Sequence, residues 1–264
     1  MRGLQTPVRA IRRQVFTEVA KLGFKANAET LVADMEAIPY EIVGEDSEVK
    51  YRESIYRARA VVRERLRLAM GLSLRPENKP VHLTAGVEAS NISEKYYEPP
   101  LMQVIPSGCE SCEENKYEVS NMCKGCLAHP CQEVCPRGAI SMVNGKSFID
   151  QDKCIKCGKC KSVCPYDAIA KKERPCKKAC GVNAITSDKL GRAYIDADKC
   201  VSCGMCMVSC PFGAISDKSQ IFQLSHALRD GDKIIAIVAP AYISQFGDDV
   251  TPGKFKTALQ VLGF

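Results

Sequence analysis

CIKCGKCKSVCP at residues 154–165 and CVSCGMCMVSCP at residues 200–211 both read C-x2-C-x2-C-x3-C-P without deviation. Three thiolates within seven residues wrap one corner of a cubane, while backbone N–H groups of so tight a loop point at its sulfurs. A fourth cysteine follows about one helical turn beyond the third. Iron in such centres selects soft thiolates, so Ser, Asp or His would not serve in these places. The spacing is that of 4Fe-4S clusters, and electron transfer is the function to expect from it.

Outward from these motifs the sequence repeats itself. FIDQDKCIKCGKCKSVCPYDAI (Phe148 to Ile169) matches YIDADKCVSCGMCMVSCPFGAI (Tyr194 to Ile215), and Cys154 and Cys200 are offset by 46 residues. Upstream of each lies a second related pair, HPCQEVCPRGAI (His129 to Ile140) and RPCKKACGVNAI (Arg174 to Ile185). Every half ends in a small residue and Ile, which starts a strand. Asn144-Gly145 and the Leu190-Gly191 region supply hairpin turns between halves, so each module is expected to be short antiparallel ribbons and short helices around its clusters.

Residues 1–105 carry only helical signals. Val8, Ile11, Val15, Val19 and Leu22 share one face, with Thr6 as N-cap, Pro7 in the first turn and Gly23 as the stop. A second helix is expected from Glu29 to Ala37, before Pro39. A third is expected from about Glu48 to Met70, with Ile55, Arg59, Val62, Leu66 and Ala69 at helical spacing and Gly71 as terminator. Its Arg57, Arg63, Arg65 and Arg67 read as a solvated outer face. From Pro76 to Pro106 five prolines and no periodicity suggest a linker.

The chain has 264 residues, is 45% hydrophobic and contains 16 cysteines. Their C-x2-C clustering and the lack of a secretory h-region favour metal over disulfides and a reducing, cytoplasmic setting. The longest apolar run, Ile234 to Pro240, is too short to span a bilayer. The formal charge of +6 counts thiols as neutral; four oxidised clusters would add roughly −8 and remove the case for nucleic acid. Lys153, Lys156, Lys159 and Lys161 are then expected to offset cluster charge or to dock an acidic electron partner.

The whole arrangement resembles the two-cluster ferredoxins, twice over. Their crossed ligation implies one cluster on Cys123, Cys126, Cys131 and Cys164, and another on Cys154, Cys157, Cys160 and Cys135. The second module keeps Cys176 and Cys180 but has Ala168 and Lys171 where a leading C-x2-C belongs. Cys109 and Cys112 are the only cysteines left over, so the chain is expected to fold back and complete two more clusters: Cys200, Cys203, Cys206 and Cys180, and Cys109, Cys112, Cys176 and Cys210. The alternatives are three clusters with a spare pair, or a redox-active or zinc-binding Cys109/Cys112. A zinc reading of the modules and a radical-SAM reading both fail on spacing. His129 is expected in a loop or behind a ligand, and His82 and His226 are read as structural.

After the last motif the character changes. Ile234 to Val238 reads as a strand buried on both faces, and Thr251-Pro252 opens a helix that Gly263 closes. IIAIVAPAYISQFG followed by GKFKTALQVLGF resembles the start of the catalytic domain of iron-only (FeFe) hydrogenases. With LAHPCQEVCPRGAI, CIKCGKCKSVCPYDAI and the helical N-terminus, the likeness is to their monomeric, clostridial-type branch called group B, over roughly residues 100–264.

The expected fold class is α+β. A helical region (1–105) precedes two tandem 4Fe-4S dicluster modules (106–220) and the first strand and helix of a truncated α/β hydrogenase domain (221–264). The resemblance implies an electron-relay arm served by ferredoxin or a similar carrier under anaerobic conditions. The cysteines of the catalytic H-cluster would lie beyond Phe264, so no catalytic residue is named. A stand-alone polyferredoxin subunit and a hydrogenase-like redox sensor are the alternatives.

Overall fold

A computed structural model describes residues 5–25, 27, 29–44, 52–92 and 99–264. In chain order the elements are α1 (Pro7–Lys25), α2 (Leu31–Ile42), α3 (Ile55–Ala69), α4 (Val87–Ser90), β1 (Met102–Val104), β2 (Lys116–Val119), α5 (Pro130–Glu133), β3 (Ile140–Val143), β4 (Lys146–Ile149), α6 (Lys159–Val163) and β5 (Ile169–Lys172). They continue with α7 (Pro175–Lys178), β6 (Ile185–Ser187), β7 (Ala193–Ile195), α8 (Met205–Ser209), β8 (Ile215–Asp217), α9 (Ile221–Asp230) and α10 (Pro252–Leu262). The chain divides into two compact units, one of residues 1–108 with 200–264, the other of residues 109–199. These units cut across the sequential boundaries at 105 and 220, because the chain after Lys199 returns to pack with the N-terminal helices.

In the first unit, Val15, Val19, Met35, Val62, Leu66 and Phe222 form the centre of the core. The helical face read from the sequence of α1 is the buried one, except that Val8 stays partly exposed. The backbone N–H of Arg9 donates to Thr6 Oγ1 at 3.3 Å, the expected cap. Gly23 does not end the helix, which runs to Lys25. A Cβ at Gly23 would stand 2.6 Å from Ser225 Cβ and 2.7 Å from the Phe222 carbonyl oxygen, so this glycine is where α9 comes closest to α1. Gly23→Ala should therefore cost about 1–3 kcal/mol by forcing the two helices apart. Urea unfolding followed by far-UV circular dichroism would read that loss, and an unchanged midpoint would refute the close approach.

Two further expectations change here. Pro39 lies inside α2 rather than after it. The arginines of α3 are not a solvated stripe. Arg65 is 4% and Arg67 6% exposed. Arg67 donates to the carbonyls of Ser73, Leu83 and Ala85 at 2.6–2.9 Å, and Arg65 donates to the Gly213 carbonyl and to Ser216 Oγ. Arg57 donates to the Ser107 carbonyl at 2.9 Å, and Arg52 reaches Phe212 O at 2.7 Å. Guanidinium forks thus satisfy loop carbonyls that have no sheet or helix to bond to. Burial lowers the Arg65 pKa to about 10, with Arg12 adding to that effect while Asp217 and Cys210 oppose it. Arg63 behaves differently, donating to the Tyr40 hydroxyl at 3.0 Å. α3 begins at Ile55 and ends at Ala69, with Gly71 at φ +76° beyond it; the expected start at Glu48 lies outside the described residues.

The segment after α3 is not a bare linker, since Leu83 and Val87 join the helical core. The strand pairing in the cysteine-rich region is nested. β1 pairs antiparallel with β8 (Met102↔Asp217), and inside that interval β2 pairs with β5 (Lys116↔Lys172). The ribbon of residues 116–172 thus lies, in sequence, inside the interval that β1 and β8 close. The hairpins β3–β4 and β6–β7 form as expected, with Asn144 and Gly145 both at positive φ as a type I′ turn requires.

The C-terminal segment departs most from expectation. Residues 234–238 form no strand, and Ile235 and Ile237 are 89% and 96% exposed. A strand needs a paired neighbour for its backbone, and this run has none among the described residues. The helix does form: Thr251 Oγ1 accepts from the Lys254 N–H at 3.3 Å, and Gly263 caps it at φ +105°.

Candidate iron-sulfur sites

The unit of residues 109–199 holds two thiol-lined cavities. Cys123, Cys126, Cys131 and Cys164 line one, closed by Val119 and Ile169. Cys135, Cys154, Cys157 and Cys160 line the other, closed by Ile140 and Ile149. These are the two sets of four that crossed ligation implied. Tyr117 packs over the second cavity, where a Cβ on Gly158 would stand 2.6 Å from its hydroxyl; Gly158 is also at φ +79°. Among the described residues no three His, Cys, Asp or Glu side chains are gathered tightly enough to hold a single metal ion.

Backbone geometry repeats from loop to loop. In the leading C-x-x-C of each half the residue before the second cysteine has positive φ: Ser111 (46°), Gly125 (59°), Lys156 (60°) and Ser202 (56°). That conformation turns the chain sharply just before the second thiol. Three residues after each half-module's last cysteine comes another positive φ, at Gly138, Asp167, Asn183 and Gly213. These are the residue types that tolerate it best. The turn carries the next N–H back onto the thiol: Ala139 to Cys135 at 3.3 Å, Ala168 to Cys164 at 3.4 Å, Ala184 to Cys180 at 3.2 Å and Ala214 to Cys210 at 3.4 Å. Sequence reading noticed the Ala-Ile that closes each half but missed this role, although the recurring Gly, Asp or Asn before it was the available signal.

Cys109 and Cys112 fold against the half-module that lacks a leading pair. The Ala193 N–H donates to Cys109 Sγ at 3.4 Å, as the Ser147 N–H donates to Cys123 Sγ at 3.5 Å. Ala193 and Ser147 hold equivalent places in the repeat, immediately before Tyr194 and Phe148. Arg174, 4% exposed, donates to the Cys112 carbonyl through Nε (3.0 Å) and Nη2 (2.8 Å), and to Gly191 O at 2.7 Å. Its other nitrogen reaches Ser187 Oγ at 3.1 Å and stands 3.1 Å from Glu114. Cys176 is buried in this unit. Cys200, Cys203, Cys206 and Cys210 belong to the first unit, with Cys206 and Cys210 buried and Cys203 exposed.

Electrostatics distinguish the thiols. The Ser147 N–H holds the Cys123 thiol below its ordinary pKa against the opposing effect of burial, whereas burial pushes Cys160 up, with Cys154 and Cys157 pressing the same way. Ser147 Oγ also lies 3.3 Å from Cys131 Sγ. Ser147→Ala should remove a donor that favours the more negative, reduced centre. A net hydrogen bond of roughly 0.5–1.5 kcal/mol corresponds to about 20–60 mV for one electron, so that potential should become more negative by this much. An EPR-monitored redox titration would measure it; an unmoved potential would deny the contact any tuning role.

The histidines take no part in these cavities. His129 immediately precedes α5, in left-handed conformation (φ 41°), and His82 is exposed. His226, read as structural, stands 3.0 Å from Asp230 on the same helix.

Residues 148–170 and 193–216 match the 4Fe-4S binding domain family. These two segments are of the ferredoxin type, and the prosthetic groups of such domains are 4Fe-4S clusters. The chain is 37% identical over 65 residues to an uncharacterised ferredoxin of Methanocaldococcus jannaschii, covering 25% of this chain and 39% of that protein. A second ferredoxin of the same organism is 31% identical over 99 residues, covering 30% and 63%. The electron transport protein HydN of Escherichia coli (strain K12) is 41% identical over 56 residues, covering 21% and 32%. The chain thus spans less than two thirds of each relative's length. No helix among the described residues is long and apolar enough to cross a membrane.

Proposed function

We propose that this chain is the electron-relay arm of an FeFe hydrogenase, with four 4Fe-4S clusters that pass single electrons between an external carrier and a catalytic domain. The clusters supply one-electron redox chemistry. The protein supplies thiolate ligands, N–H donors to their sulfurs, and apolar walls that fix each site's surroundings. The first two clusters are assigned to Cys123, Cys126, Cys131 and Cys164, and to Cys135, Cys154, Cys157 and Cys160. Each set lines its own cavity. Cys109, Cys112 and Cys176 are assigned to a further cluster, and Cys200, Cys203 and Cys206 to the last. Support for using Cys109 and Cys112 comes from the loop conformation and N–H donor that they share with Cys123 and Cys126.

The observation that carries the hydrogenase reading is the segment after the last motif. Ile235, Ile237, Phe246 and Val261 are 61–96% exposed, a run of apolar side chains suited to packing against further protein. The same stretch bears the likeness to the start of the hydrogenase catalytic domain. Coding sequence downstream of Phe264 tests it: H-cluster cysteine motifs support the relay arm, an immediate stop codon favours a self-contained polyferredoxin, and a signalling domain favours a sensor. The electron-transfer role has its own test, since anaerobically purified protein should be brown and give a reducible paramagnetic signal.

A further inference from the structure

The loops around Cys157 and Cys203 are twins in backbone and opposites in surface. Lys156 and Ser202 have φ of 60° and 56°, Gly158 and Gly204 have φ of 79° and 74°, and each loop leads into a five-residue helix. In both, the middle cysteine is the exposed one. Ile155 and Val201 are matched apolar side chains, but three neighbours change: Lys156, Lys159 and Lys161 in the first loop are Ser202, Met205 and Met207 in the second. All three lysines are exposed.

Their charge is also left uncompensated. Lys116, Lys171 and Lys172 on the nearby β2–β5 ribbon each pair with a glutamate, and Lys153 lies 3.5 Å from Asp150. Among the described residues Lys156, Lys159 and Lys161 have no ion pair. Ile155, 58% exposed, gives the patch an apolar centre beside the cysteine. A cationic rim around a small apolar centre, directly over an exposed cluster ligand, complements a negatively charged protein that must bring its own redox centre close. If the lysines served only to neutralise cluster charge, the twin loop would need them equally, and it has none.

We infer that Lys156, Lys159 and Lys161 form the docking surface for an acidic one-electron carrier protein, which exchanges electrons with the centre behind Cys157. This rests on the electron-transfer reading above. One electron leaves the carrier, which is oxidised by one unit, and the centre is reduced by one. No bond forms or breaks, and no proton is required.

The test uses the full chain reconstituted anaerobically, and compares it with Lys156→Ser/Lys159→Met/Lys161→Met, the residues of the twin loop. A strongly acidic small ferredoxin serves as probe, oxidised for titration calorimetry and reduced for stopped-flow absorbance. At low salt the triple variant should bind about tenfold or more weakly and accept electrons about tenfold or more slowly, with a flattened salt dependence. Its reduction by photoreduced deazariboflavin, a small neutral donor, should be unchanged. Unaltered binding and rate with the acidic ferredoxin would overturn the assignment. Equal slowing with the neutral donor would also overturn it, because the lysines would then act on the centre itself. If the variant takes up less iron, Lys156→Gln/Lys159→Gln/Lys161→Gln takes its place with the same expected outcomes. Failure of the wild-type chain to bind iron and sulfide would instead strike the electron-transfer reading.

Discussion

Anaerobic reconstitution with iron and sulfide should return about sixteen irons per chain, and the Cys109→Ala/Cys112→Ala variant about twelve. Each cubane needs four ligands, and Cys109 and Cys112 are the pair whose use the spacing alone does not dictate. Their loop bends at Ser111 as the other three C-x-x-C loops bend at Gly125, Lys156 and Ser202. Loss of both thiols should empty one site and leave the two cavities of residues 116–172 loaded. Equal iron in the two proteins, measured by colorimetric iron and acid-labile sulfide assay, would show that this pair ligates nothing.

Arg174→Ala should reproduce much of that loss without touching a thiol. Arg174 ties the segment bearing Cys112 to the hairpin of residues 185–195 through carbonyls, a hydroxyl and Glu114. Removing it leaves buried carbonyls without donors, a destabilisation of about 3 kcal/mol. About four irons should go with it. Arg174→Lys should not rescue the site, because an ammonium cannot span those partners as the planar fork does. Burial works to raise the Glu114 pKa, but hydrogen bonds from Lys177 and Ser187 and the Arg174 charge outweigh it and lower it. A carboxylate with a depressed folded pKa stabilises above its unfolded value, and that stability is lost as pH falls through the folded one. Wild-type stability should therefore fall on acidification below the ordinary glutamate range, and less steeply in Arg174→Ala. Iron counts and urea midpoints at several pH values measure both; a variant with full iron would refute the positioning role.

The cysteine pattern was legible because ligand spacing is covalent. Twelve residues of chain fix where four thiols can reach, whatever else folds around them. The hairpins were legible for a similar local reason, Asn144-Gly145 being adapted to one turn type. What escaped the sequence was decided by distant chain. The i, i+4 spacing on α3 gives the direction of Arg65 and Arg67 but not the carbonyls of Gly213 or Leu83 waiting there. Gly23 resembled a terminator because a helix end and a helix contact both select a residue without Cβ. The nested strand pairing was hidden because β1 and β8, three residues each, are too short to announce a pairing across the chain. The apolar 234–238 run showed strand-like composition, but composition cannot furnish a neighbour.

That nesting bears on how the protein assembles. Cys112 and Cys176 are separated by 63 intervening residues, and closing so long a flexible loop would cost about 2.5 kcal/mol more entropy than closing one of four residues. Lys116 and Lys172 face each other across the β2–β5 ribbon, so once the inner ribbon has formed, its two ends emerge side by side. To the segments around it, the whole enclosed segment then behaves like a short turn. During synthesis the inner ribbon can condense while Cys109 and Cys112 wait for Arg174 and Cys176 to emerge, which makes early folding of the enclosed segment the condition for completing what surrounds it.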